Sequence, residues 1–440
     1  MKTKSILALA FLVIVAVFVV AGGASQAVPE KPTPGKGVAG EGKAPIKIGF
    51  IGRLSAPWGL SNKTALEISV DDLNAEGGIL GRPVQLIVED SKGEIPLVVA
   101  AYKKLVMTDR CALVVVESTE PVFSCMEVGA ELYKQYPHIM FGVFVAHDEP
   151  TYMVCANYDK YKFFFRPFTK GGVHFDPNVK AWELWTKVIG TKKLAFMAED
   201  MAFAKPVVEG VPGKTPSLPE FFRSKGLDVV YTGQNSIKEK MFLPIFEEIA
   251  AKGADTIYWI TAYTDTVTLA KQWVLSAAKD IDIVFMAGAP CYSAFWKMTG
   301  GAALGAVTLD PEISVPFTDK TLPFLTKLRA KGAGMMNSTY PSYDSPWIFK
   351  AAAESAKTAS NFDAVIKAME TVQTQRICWT WKFNKCHDPM TGYPPYLPSQ
   401  YGQFQENGKV VTVFPPGIVQ KVNPNSGFIR VKELRAKTAK

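Results

Sequence analysis

The sequence predicts an α/β fold built from two blocks, each a parallel sheet flanked by helices. Three observations predict it. From Ile46 onward, short apolar runs alternate with amphipathic segments, the pattern of strands exchanging with covering helices. The cycle restarts near Leu194 after a break at residues 166–180. The 440-residue length suits two or three domains rather than one.

The elements follow in order. Ile46–Ile51 reads as a first strand, then a loop holds Pro57, Trp58 and Gly59. A helix is expected from about Lys63 to Glu76, with Leu66, Val70 and Leu73 on one face and Gly77-Gly78 stopping it. Val84–Val88 is a second strand ending in Glu89-Asp90, Val98–Val106 a helix, and Ala112–Val116 a buried strand. Glu117-Ser118-Thr119-Glu120-Pro121 opens the next helix, with Pro121 in the tolerant first turn. Ile139–Val145 is a fourth strand. Leu194–Ala198, Thr256–Ile260, Ile283–Met286 and Ala302–Leu309 continue the pattern, Ser345–Ser360 is a helix, and Cys378–Val413 reads as proline-broken hairpins.

Composition narrows the function classes. Hydrophobic residues make up 48% and charged residues 20%, too apolar for wholesale disorder. The net charge of +8 has no basic cluster, so it gives no argument for nucleic acid. Lys2 and Lys4, the apolar run Ile6–Ala21 and Ser25-Gln26-Ala27 have the layout of a secretory signal. Retention as a membrane anchor is the alternative, since Ile6–Ala24 could just span a bilayer. Either places the remainder outside the cytoplasm, periplasmic or extracellular, with the segment as a tether if it is kept. Val28–Pro45, rich in Pro, Gly and Lys, reads as a flexible linker. Within it, Gly35–Gly40 matches GxGxxG and Gly37–Lys43 matches GxxxxGK, but no strand precedes them and no helix follows. Both are read as chance.

Six cysteines in a chain this long are not a disulfide scaffold. Cys378 and Cys386 are the best candidate pair, with buried free thiols as the alternative. The motifs HExxH, CxxC and GxSxG do not occur, and Cys386-His387-Asp388 reads as a turn. No enzyme, cofactor or metal is therefore expected; a secreted hydrolase and a sensory ectodomain are the competing classes. Asn62-Lys63-Thr64 and Asn337-Ser338-Thr339 match the glycosylation pattern at near-chance frequency.

The segment IKIGFIGRLSAPWG, followed by ALEISVDDLNAEGGILGRPVQLIVEDSKG and a helix ending KKLV, resembles the branched-chain amino-acid-binding family of ABC-transporter solute receptors. Its most specific element is the turn carrying Asn74, Gly77, Gly78, Ile79 and Gly81 before the strand ending Glu89-Asp90. The resemblance implies a type I periplasmic binding fold, with two doubly wound lobes, a three-stranded hinge and a ligand in the cleft. It implies a small-molecule ligand, amino acid, amide or small carboxylate, and delivery to ABC permease transmembrane subunits. The expected division is a signal peptide at 1–27, a linker at 28–45, one lobe from 46–168 with 310–376, and the other from 169–309 with 377–440.

Carried onto this sequence, the resemblance implies that Ser118 and Thr119 bind the ligand carboxylate, where hydroxyls and free N–H groups at a helix start suit an anion. Plain N-capping by Thr119 is the alternative. Val145 and Ala146 would offer backbone groups, and His147 either a contact or a cap for the loop. Trp58, Phe203 and Tyr263 would form aromatic walls. Ala289 stands in the loop where amino-acid receptors of the family carry an acid for the ligand ammonium. A buried ammonium without a counter-charge is costly, so Asp265 or Asp200 must substitute, or the ligand lacks an ammonium.

Overall fold

The computed structural model describes residues 44–168, 175–213, 215–286, 288–292, 294–309, 315–396, 399–422 and 427–438. The signal segment, the linker up to residue 43, both glycine-rich matches, His174 and Ala287 lie outside them.

The first sheet has β1 (Ile46–Gly52), β2 (Val84–Asp90), β3 (Leu113–Glu117), β4 (Ile139–Val143) and β5 (Phe164–Phe165), in the order β2-β1-β3-β4-β5 and parallel throughout. The second has β6 (Lys193–Glu199), β7 (Asp228–Asn235), β8 (Thr256–Ile260), β9 (Asp282–Phe285), β10 (Val307–Leu309), β11 (Tyr401–Phe404) and β12 (Val410–Phe414). Its order is β12-β11-β10-β9-β8-β6-β7, with β11 alone running against the other strands. Both sheets reverse winding direction beside their first strand, between β1 and β3 and between β6 and β8. Crevices open there at the carboxyl ends of the strands.

Side-chain alternation explains why both faces are covered. Phe196, Ala198, Tyr258 and Ile260 enter one apolar cluster, while Ala195, Met197, Ile257 and Trp259 enter another. A period of two on buried strands sends neighbours to opposite faces, so each face needs its own helices.

Several elements differ from expectation. α1 spans Pro57–Ala75, so Pro57-Trp58-Gly59 is its first turn rather than a loop; proline is tolerated there because the missing N–H would be unpaired anyway. A side chain at Gly59 would collide with the Arg53 carbonyl, so only glycine lets α1 start this close to β1. α2 runs Ile95–Lys103 and continues as a π-helical turn, Lys104–Thr108. α3 (Thr119–Leu132) takes Ser118, not Thr119, as its N-cap, with no side-chain capping bond. Only Val307–Leu309 of Ala302–Leu309 is strand, and the expected Ser345–Ser360 helix is Thr339–Ala356.

The first apolar core draws in Ile377, Cys378, Trp379, Trp381, Phe383 and Ile418, residues that the expected division gave to the second lobe. The cysteine pairing is also corrected. Cys386 is bonded to Cys155, 231 residues away, and Cys378 is a buried free thiol on Asp344. Asn62 is fully buried in α1, its amide nitrogen on Glu117, which excludes a glycan there. No helix among the described residues is long and apolar enough to cross a membrane.

Candidate functional site

The loops leaving β1, β3, β4, β8 and β9 converge on two adjoining chambers. The polar chamber, about 270 Å³, is lined by Arg53, Ser91, Glu117, Ser118, Glu120 and Met201 among others. The apolar chamber, about 340 Å³, is lined by Phe144, Ala289, Tyr292, Met298 and Met336 among others. Trp58 and Tyr263 line both. Their rings meet edge to face with centroids 6.4 Å apart, Trp58 from the first sheet's side and Tyr263 from the second's.

Two strand-end glutamates build the frame. Glu199, fully buried at the end of β6, accepts the N–H groups of Ala262, Tyr263 and Thr264 and the Thr264 hydroxyl at 2.8–3.1 Å. That bonding fixes the loop that presents Tyr263. Glu117, at the end of β3, accepts among the described residues the Arg53 N–H at 3.0 Å and the Asn62 amide at 2.5 Å. Burial pushes its carboxyl up to about 7 against those two bonds. Beside it, Ser118 and Phe144 hold positive φ angles of 77° and 59°. Such conformations cost energy in non-glycine residues and persist where the surroundings impose them, often beside ligand sites.

Of the residues singled out from sequence, Trp58, Ser118, Tyr263 and Ala289 line the chambers. Thr119 is buried and lines neither. Val145, Ala146 and His147 also line neither. Their carbonyls accept hydrogen bonds from the fully buried Arg166 at 3.3, 3.5 and 2.6 Å, and Arg166 is paired in turn with Asp148 and Asp388. His147 accepts the Glu149 N–H at 3.0 Å, the capping role, and burial lowers its pKa. Phe203 stands behind Tyr263, ring centroids 6.2 Å apart. Asp265 is committed to the Thr268 N–H and to Lys240, and neither it nor Asp200 lines either chamber.

Sequence reasoning missed Arg53, Glu117 and Glu120 as chamber residues, although all three flank the strand ends it recognised. Phe144, Tyr292, Met298 and Met336 carried no signal, because apolar residues in loops look like any others.

The sequence matches the periplasmic binding protein family over residues 45–393. The chain belongs to that family. No protein with a curated description matches it. Among solved structures, one described as a putative branched-chain amino acid ABC transporter from Silicibacter pomeroyi aligns with TM-score 0.74 and 16% identity, covering 88% of this chain and 99% of its own. The branched-chain amino acid transporter substrate-binding protein LivJ from Streptococcus pneumoniae, in complex with isoleucine, gives 0.66 at 18% identity, covering 84% and 100%. A solute-binding protein of an ABC transporter from R. palustris, in complex with benzoate, gives 0.63 at 16%, covering 84% and 95%. The shared fold is the type I periplasmic binding fold. Family membership carries an extracytoplasmic location and a solute-binding role of ABC-transporter type.

Proposed function

We propose that the protein captures a small amino-acid-like carboxylate or amide in the cleft between its two sheets and delivers it to the transmembrane subunits of an ABC permease. It acts in the periplasm or outside the cell, reaching there through its N-terminal signal segment, and performs no chemistry on the ligand. The observation that carries this reading is the pair of chambers at the two winding reversals, bridged by the contact of Trp58 with Tyr263. Ligands of doubly wound sheets bind there, and lobes joined by crossing segments close over them by a hinge motion. The isoleucine and benzoate bound by fold relatives mark the range of solutes to try.

The test is thermal unfolding of residues 28–440 against amino acids, amides, urea and aromatic acids. A true ligand at 100 times its dissociation constant stabilises by about 2.7 kcal/mol, a visible shift in melting point. No shift with any member overturns the receptor reading for these solute classes.

A further inference from the structure

Phe144 lines the apolar chamber with its ring centroid 6.4 Å from that of Trp58, and it packs edge to face on Phe168 at 5.7 Å. Its φ of 59° is one that a non-glycine residue keeps only where its surroundings impose it. Those surroundings converge on Arg166. The guanidinium of Arg166 donates to the carbonyls of Val145, Ala146 and His147, the three residues that follow Phe144. The carbonyl of Arg166 accepts the Phe168 N–H at 2.9 Å. Arg166 thus reaches Phe144 from two sides, through the loop that carries it and through the ring that packs on it.

Arg166 is itself held. Its side chain is fully buried, so its charge requires carboxylates. Asp388 accepts its Nε and Nη2 groups at 2.8 and 2.6 Å, and Asp148 accepts Nη2 at 3.2 Å. Asp388 closes a turn in which the Asn384 side chain accepts the Cys386 and Asp388 N–H groups. The His387 ring of that turn stacks on Phe165 with centroids 3.8 Å apart. Cys386 is bonded to Cys155 in α4 (Glu149–Ala156), the helix that begins where the Phe144 loop ends. The path therefore returns to its start: the Phe144 loop, α4, the Cys155–Cys386 bond, Asp388, Arg166 and the loop again. A loop closed into such a ring has far fewer conformations open to it than one held by its chain alone.

We propose that Arg166 and Asp388 are positioning residues for the cleft: with the Cys155–Cys386 bond they close a ring around the loop after β4 and so hold Phe144 against Trp58. The bond lies outside both chambers, yet it sets the shape of the apolar one. The consequence for a bound solute rests on the receptor reading; the geometry does not.

Fluorine NMR of the full chain labelled with fluorotryptophan tests this without a ligand. The chain has nine tryptophans. Trp58→Phe identifies the Trp58 line, and Trp259 and Trp273, in the core of the second sheet, serve as references. Asp388→Asn keeps the side-chain shape and removes the charge. Replacing Cys155 and Cys386 together by serine opens the ring while leaving every charge, and so tests it even where loss of the carboxylate unfolds the chain. Both variants should shift or split the Trp58 line and leave the two reference lines in place. Asp282→Asn breaks another buried ion pair, with Arg430 at the far end of the second sheet, and should lower the urea midpoint without moving Trp58. A Trp58 line unmoved in both ring variants, folded by circular dichroism, overturns the positioning role. So does an equal shift in Asp282→Asn, which would make the line a reporter of general loosening. A shift with Asp388→Asn alone removes the disulfide from the ring, and a shift with the serine pair alone removes the ion pair. None of these outcomes touches the receptor reading, and a cleft that binds no solute of the panel leaves the ring standing.

Discussion

Glu117 and Glu199 are buried strand-end carboxylates in the two lobes, Glu117 on the strand that follows the winding reversal of its sheet and Glu199 on the strand that precedes it. Each ends a strand beside the winding reversal of its sheet, and each is buried, 4% and 0% exposed. Yet Glu199 receives the three consecutive N–H groups of Ala262, Tyr263 and Thr264 as well as a hydroxyl, while Glu117 receives two donors among the described residues. A buried carboxylate is stable as an anion only when donors replace the water it has lost. Glu199 has become a clasp that shapes the Tyr263 loop. Glu117, with a thinner shell, sits near 7 and changes charge close to neutrality.

The sharpest way to break the comparison is to delete each carboxylate. Glu199→Ala strands the N–H groups of Ala262, Tyr263 and Thr264, and each bond to a charged group is worth about 1.5–3 kcal/mol. A stability loss of about 3 kcal/mol or more is expected, read as a lowered urea midpoint. Glu117→Ala leaves two donors, one at the chamber wall where water reaches, and is expected to cost clearly less. Equal losses would mean that the two shells are equivalent and the contrast is geometric only.

The next effect is in pH. Glu117 is raised from 4.5 to about 7, so between those values the folded protein holds a proton the unfolded chain has released. Its contribution to stability is therefore full below pH 4.5 and is lost as pH rises through 7. Asp344, buried among the Cys378 thiol, the Trp381 ring N–H and the Ile377 N–H, is raised from 3.8 to about 6 and acts in the same sense at lower pH. Urea unfolding of the wild type minus that of Glu117→Gln isolates the first group. The difference should slope downward with pH between about 5 and 7. A flat difference would show that Glu117 stays ionised and its shell is sufficient.

Such contrasts between shells were only partly legible in the sequence. β1, β3, β6 and β8 announced themselves because strands buried on both faces are continuous apolar runs. β7 did not, since Asp228–Asn235 sits at a sheet edge and carries polar residues. The start of α1 was hidden because Pro57-Trp58-Gly59 has the composition of a turn, and only the approach of Gly59 to Arg53 shows why it is helix. The Cys155–Cys386 bond closes 231 residues, and no local pattern encodes a contact that long. In the site, Glu117 and Glu120 were visible as residues, but their unequal hydrogen bonding depends on Arg53 and Asn62, which come from other parts of the chain. The Arg166 buttress was silent for the same reason: its carbonyl partners precede it by about twenty residues and Asp388 follows by 222.

The smallest effect concerns the two hydroxyls at the start of α3. From sequence they form a pair, but the structure separates them. Ser118 is half-buried and lines the polar chamber, whereas Thr119 is 5% exposed and turned into the protein. Ser118→Ala should weaken whichever carboxylate stabilises the protein by roughly tenfold, the loss of one charge-assisted hydrogen bond of about 1.5 kcal/mol. Thr119→Ala should lower the unfolding midpoint a little and leave affinity unchanged, because it removes packing atoms and no ligand contact. If both substitutions weaken binding alike, the helix start as a whole rather than one hydroxyl holds the anion. The polar chamber would then owe its preference to backbone N–H groups and the helix dipole.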